Sequence, residues 1–141
     1  MATAVFYLID KPRFRADPLL LVCALVKKAW VARQPTLVLA ADAAQAEVLD
    51  QKLWEFDDDS FIPHQIVGEA EDDEVTAVLI VPPGASTPDR PLVINLREDC
   101  ASGTFDRVLE VVPAEEGARL GSRRRWSEYK ARGITPSKHD M

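Results

Sequence analysis

Uninterrupted apolar runs, separated by stretches with helical spacing, constrain this chain more than any other feature. Residues 5–9, 36–40, 78–81 and 92–96 carry few polar side chains, so strands built from them have no face to give to water. Between the first two runs, Leu21, Leu25 and Ala29 recur with Val22, Val26 and Trp30 at a spacing that predicts a helix over residues 18–32. Asp17 and Pro18 supply its cap and first turn, and Gln34 and Pro35 stop it. Asp42 is placed to cap a second helix that carries Ala46, Leu49, Leu53 and Trp54 on one side. Strands covered on both faces and alternating with helices predict an α/β fold with a largely parallel sheet flanked by helices.

The later elements follow the same logic. A short extended segment is expected within residues 60–67. The carboxylate run at 69–74 then belongs in a solvated loop, and the Pro/Gly/Ser connector at 82–91 forms another. Residues 107–112 read as the last strand. Glu115 and Glu116 open a helix over about residues 115–132 that turns basic toward its end, as the helix dipole prefers; Gly133 ends it, leaving a short tail at 133–141. A length of 141 residues, 47% of them hydrophobic, suits a single domain spanning 1–141. The longest apolar run, residues 18–26, is short of the roughly 20 needed to cross a bilayer, and no secretory signal is recognisable, so a cytoplasmic protein is expected. Cys23 and Cys100 match no metal or redox spacing and read as free buried thiols.

A fold of this type invites a nucleotide-binding reading, which the loop after the first strand opposes. Asp10-Lys11-Pro12-Arg13-Phe14 contains no glycine, and no Gly-Lys-Ser or Gly-Lys-Thr occurs elsewhere. No serine lies in a Gly-x-Ser-x-Gly elbow. His64, beside Pro63, suits a hydrogen-bonded structural role better than a base, and Asp57, Asp58 and Asp59 lack the alternating spacing of a calcium loop. No catalytic residue, cofactor or metal site is expected.

Charge supplies the positive signal. The chain is acidic overall at −6, yet residues 117–141 hold seven Lys and Arg against two Asp and Glu. At roughly 100° per residue, Arg119, Arg123, Trp126 and Lys130 fall within an arc of about 60°, with Tyr129 one ridge away. Val111 or Val112 at the end of the last strand could supply an apolar floor. Such a stripe fits an anion with an apolar part, either an acidic peptide or a nucleic acid; an inward Trp126 on a solvated basic face is the bland alternative. The net negative charge disfavours general nucleic-acid coating. A second cluster, Trp54-Glu55-Phe56 with Phe61-Ile62-Pro63, is either an interface anchor or the rim of the core.

Phe6-Tyr7-Leu8-Ile9-Asp10, Leu53-Trp54 followed by Ser60-Phe61-Ile62-Pro63-His64, Gly68-Glu69, Ile94-Asn95-Leu96-Arg97 and Val111-Val112-Pro113 resemble the chi subunit family of bacterial DNA polymerase III holoenzyme, from about residue 3 to residue 134. The resemblance implies a Rossmann-like fold without a nucleotide-binding loop and a non-catalytic accessory subunit of the clamp-loader assembly. It implies a psi-subunit interface at Trp54, Phe61 and Pro63. It also implies a site for the acidic C-terminal tail of single-stranded-DNA-binding protein at Val112, Arg119, Arg123, Trp126 and Tyr129. Trp126 stands where the family has tyrosine, and Arg124 replaces an acidic residue. A direct single-stranded nucleic-acid-binding module using the basic helix is the competing reading.

Overall fold

A computed structural model of the chain describes residues 2–56, 61–68 and 76–141. Its elements are β1 (Thr3–Leu8), α1 (Pro12–Ala16), α2 (Pro18–Val31), β2 (Thr36–Leu39), α3 (Ala43–Glu55), β3 (His64–Ile66), β4 (Val78–Val81), β5 (Leu92–Asn95), β6 (Arg107–Val112), α4 (Glu116–Ala131) and β7 (Thr135–Asp140). The seven strands form one sheet in the order β3-β4-β2-β5-β6-β1-β7, and every pairing is parallel. The expected α/β class and parallel sheet are therefore what the chain adopts. The carboxylates at 57–59 and the run at 69–74 lie outside the described residues, apart from which the predicted strands and helices are present.

The apolar runs are continuous because β4 and β5 are buried along their whole length between two layers. On one face, Val5, Ile9, Val38, Ile80, Ile94 and Leu109 pack against α1, α2 and α3 through Phe14, Leu21, Val22, Leu25, Val26, Leu49 and Leu53. On the other, Ala4, Phe6, Leu37, Leu79, Val93, Val108 and Val112 pack beneath Tyr129 and Trp126 of α4 and beneath Ala101 and Phe105 of the preceding connector. Alternation along each strand sorts the side chains between these layers: Val5 faces α2 and Phe6 faces α4.

Helix capping departs from expectation at one end and agrees at another. Asp42 accepts a 2.7 Å bond from the Gln45 N–H, while the Gln45 side chain accepts from the Ala41 N–H, which fixes the start of α3. Asp17 occupies the N-cap of α2 but makes no side-chain cap bond. Its carboxylate instead pairs with Lys52, joining α2 to α3, and this bond holds the lysine above its ordinary pKa.

Residues 107–112 are not the last strand. The expected tail forms β7, which lies along β1 with Thr3 opposite Thr135 and Phe6 opposite Lys138. The Thr135 N–H donates to the Ala2 carbonyl and the Met141 N–H to the Leu8 carbonyl. Alternate residues of a strand point their amides to opposite sides, so Pro136 turns its nitrogen away from β1. A proline is tolerated there because no ladder bond needs its missing N–H. Short polar sequence with a proline hid this edge strand from a search for apolar runs.

Candidate functional site

Helix α4 is basic on every side, but its arginines have different tasks. Residues three and four apart share a face, and Ser122, Arg125 and Tyr129 are buried against the sheet. Below them, β6 places Glu110 on the same face as Phe6, and β5 brings Asn95 opposite Glu110. Glu110 is wholly buried. Its Oε1 accepts from Arg125 Nε at 2.8 Å, and its Oε2 accepts from the Tyr129 hydroxyl at 2.6 Å and from Asn95 Nδ2 at 2.7 Å. Tyr129 in turn accepts from the Ala101 N–H at 2.9 Å. Burial raises the Glu110 carboxyl above its ordinary pKa, against the pull of Tyr129, Arg125 and Asn95. A buried carboxylate satisfied by three donors docks α4 on the sheet in one register.

Three arginines remain on the flanks. Arg124 Nη2 donates to the Glu98 carbonyl at 2.9 Å, and Arg119 Nη2 reaches back to the Ile9 carbonyl at 3.0 Å. The Arg123 side chain is exposed and has no hydrogen-bond or ion-pair partner among the described residues. Between α4 and strands β1 and β7 lies an open groove of about 540 Å³, lined by Phe6, Leu8, Arg119, Ser122, Arg123, Trp126, Ser127 and Lys138. Its floor is apolar. The Trp126 ring sits 5.2 Å from the Phe6 ring at a tilt of 47°, a favourable aromatic arrangement that leaves the indole half-buried with one side toward the groove.

Of the residues expected at this site, Arg119, Arg123 and Trp126 come together as the helical arc predicts. Tyr129 does not join them: it is fully buried, and its hydroxyl is committed to Glu110 and Ala101, so it orients α4 from below. Val112 is also fully buried and does not line the groove, because its side chain is packed within the layer that α4 covers. Phe6 and Leu8, from the same face of β1, provide the apolar surface instead. Lys130 does not line the groove, and Lys138 takes its place as the third cation. Phe6, Leu8 and Lys138 escaped the sequence reading because their position follows from the β6-β1-β7 order, which no local pattern reveals.

The second cluster is exposed where an interface would need it. Trp54 is 49% and Phe61 68% exposed, their rings 5.2 Å apart, with Pro63 half-buried beside them. Trp54 also packs on His64, 4.8 Å away. The His64 ring is buried, with its nitrogens 2.7 Å from the Ile62 carbonyl and 3.1 Å from the Asp50 carbonyl, so it ties the strand β3 to α3 as a structural residue.

The turn after β1 is closed to phosphate by the chain itself. The Asp10 and Lys11 N–H groups, which would face an anion in a phosphate-cradling loop, both donate to the Met141 carbonyl at 3.0 and 2.9 Å. At the ends of β2 and β4, Arg97 donates to the Ala40 carbonyl at 2.9 Å and to the Val81 carbonyl at 2.8 Å, and burial lowers its pKa. Both thiols are free and protonated well above neutrality, since burial pushes Cys23 up to about 11 and Cys100 up to about 12. Cys100 is only half-buried, which corrects the expectation that both would be enclosed. No group of three His, Cys, Asp or Glu among the described residues could hold a metal.

These features define a parallel α/β domain that carries a basic, apolar-floored groove on one face and an exposed aromatic cluster formed by the end of α3 and the residues before β3. The chain belongs to the DNA polymerase III chi subunit family, HolC, whose sequence model matches residues 1–137. It is 33% identical over 146 residues to the DNA polymerase III subunit chi of Pseudomonas aeruginosa, covering 100% of this chain and 98% of that one. Against the DNA polymerase III subunit chi of Escherichia coli K12 the identity is 30% over 140 residues, with 95% of each covered. The family is an accessory subunit of the replicative polymerase. Among solved structures, a complex of S. cerevisiae dbp5 l327v bound to nup159, gle1 h337r, ip6 and adp has a similar fold: the TM-score is 0.67 at 12% identity, over 99% of this chain and 42% of that one. That likeness concerns the fold alone. No helix among the described residues is long and apolar enough to cross a membrane.

Proposed function

We propose that this protein is a non-catalytic adaptor within the polymerase holoenzyme. One surface takes the acidic C-terminal tail of single-stranded-DNA-binding protein, and the other takes the psi subunit, through which it is linked to the clamp loader. The observation that carries the first assignment is the pairing of unpartnered Arg123, with Arg119 beside it, and an apolar floor of Phe6, Leu8 and Trp126 in one groove. A peptide that ends in aspartates followed by an apolar dipeptide with terminal phenylalanine offers both carboxylates for the arginines and a ring for the floor. Charge-assisted bonds to such carboxylates contribute about 1.5–3 kcal/mol each where water is partly excluded. Trp54, Phe61 and Pro63 form the second surface, supported by the exposure of two aromatic rings in tilted contact.

Tyr129 acts here by holding α4 in place, and Val112 by packing under it. Direct binding of single-stranded nucleic acid is less well supported, because Tyr129 is buried and Trp126 is packed on Phe6, leaving a single partly covered ring for base stacking. Calorimetric titration with the tail peptide tests the adaptor reading. Arg123→Ala is expected to lower affinity by about tenfold or more; unchanged affinity, or tight binding of a single-stranded oligonucleotide by the protein alone, would overturn it.

A further inference from the structure

Lys138 lies at a position that the basic helix does not predict. Strand β7 pairs with β1 on the side away from β6, and its register sets Lys138 directly beside Phe6. Laterally paired residues of a parallel sheet project to the same face. Phe6 faces α4, so the Lys138 side chain rises from the sheet edge toward the groove that α4 overhangs, and it lines that groove with Arg119 and Arg123. Lys138 is exposed and has no ion-pair or hydrogen-bond partner among the described residues. The groove thus has cations from two separate elements: arginines on the helix and a lysine on the edge strand, with the Phe6 and Trp126 rings in the same lining.

Resting on the peptide-binding reading above, we propose that Lys138 is a specificity-determining residue that makes the groove select ligands with two separated negative charges. The terminal carboxylate is held by the helix arginines, and a side-chain carboxylate a few residues upstream is held by Lys138 across the aromatic floor. The helix arginines and Lys138 stand on separate elements, so two carboxylates of one peptide can be held at once. Arg119 is already braced on the Ile9 carbonyl and so presents its remaining donors in a fixed direction, whereas Lys138 is a mobile point charge that follows the second carboxylate over a range of spacings. An adaptor built this way distinguishes an acidic tail from any other peptide that ends in phenylalanine.

The test uses two peptides with the same terminal phenylalanine, one with its aspartates intact and one with each aspartate replaced by asparagine. Each is titrated against wild type, Lys138→Met, Lys138→Arg and Arg123→Ala. The Lys138→Met change keeps the aliphatic stem and removes only the charge. It is expected to weaken the aspartate peptide about three- to fivefold, as an exposed ion pair does, and to leave the asparagine peptide unchanged. Lys138→Arg should restore the aspartate peptide. Arg123→Ala should weaken both peptides. Equal effects of Lys138→Met on the two peptides, or no effect on either, would overturn the role of Lys138 while leaving the groove assignment intact. Binding of neither peptide by wild type, or indifference of both to Arg123→Ala, would overturn the groove assignment itself.

Discussion

The Tyr129 hydroxyl donates a 2.6 Å hydrogen bond to Glu110 Oε2, joining the buried face of α4 to the centre of β6. The same carboxylate binds Arg125, four residues before Tyr129 and on the same inward face of the helix. Two successive turns of α4 are thereby pinned to one side chain of the sheet, and the flank of those turns beside β1 and β7 presents Arg123 and Trp126 to the groove.

Breaking this network should cost stability out of proportion to its size. Tyr129→Phe removes one bond to a charged group and is expected to lose about 1.5–3 kcal/mol in urea denaturation. Arg125→Met leaves Glu110 buried without its cation and should lose about 3–5 kcal/mol. In a Glu110→Gln background the same Arg125→Met change should lose far less, because no buried anion remains. Additive losses in the double variant would show that the ion pair is not what holds α4 down.

Binding to the groove should respond to salt and to position on the helix. Exposed charges are screened within about 10 Å at 0.1 M salt and about 3 Å at 1 M, so affinity for the acidic peptide should fall steadily as salt rises. Lys130→Ala, on the same helical arc but outside the groove, should change affinity by less than about twofold, whereas Arg123→Ala changes it strongly. Equal losses at the two positions would point to diffuse attraction by the helix rather than to a site.

The thiols set an upper limit in pH. An unfolded cysteine ionises near 9.0, while folded Cys23 holds its proton to about 11 and Cys100 to about 12. Between those values the unfolded chain has lost protons that the folded chain still binds, so stability is fully present below about 9 and declines as pH rises above it. Chemical denaturation at pH values on either side of 9 should show this decline. The Cys23→Ala variant should show a shallower one, and an identical slope would exclude the buried thiol as its source.

Strand β7 should distinguish its two amide directions. Pro136→Ala fills a position whose nitrogen faces away from β1, and is expected to change stability by less than about 1 kcal/mol. Ser137→Pro would remove an amide on the side that faces β1 and should cost about 3 kcal/mol or more. Similar melting temperatures for the two variants would mean that β7 does not pair as the register requires.

The legible and illegible parts of this chain differ in range. Strands β1, β2, β4, β5 and β6 and helices α2 and α3 were visible because each writes its own burial into a run or a period of apolar residues, whereas α4 was visible from its acidic start, its basic later turns and Gly133 after it. The helical arc of Arg119, Arg123 and Trp126 was visible from the local excess of positive charge and the roughly 100° step of a helix. Tyr129 and Arg125 were not separable from their exposed neighbours, since the partner that draws them inward, Glu110, sits on another element and looks in sequence like a charged residue interrupting a strand. Short α1 is absent from the sequence reading because five residues hold too little periodicity to register. Strand β7 was hidden because an edge strand with one flank in water needs neither apolar content nor an unbroken set of amides.

Phe6 and Lys138 form the floor and one wall of the groove, and Arg119 is braced on a carbonyl 110 residues earlier in the chain. During synthesis the floor therefore leaves the ribosome long before the wall that completes it. A nascent chain still lacking β7 would leave the outer edge of β1 unpaired, so the groove is complete only after translation has passed Lys138. Timing is thus built into strand order: the cation farthest along the chain is the last part of the groove to be made.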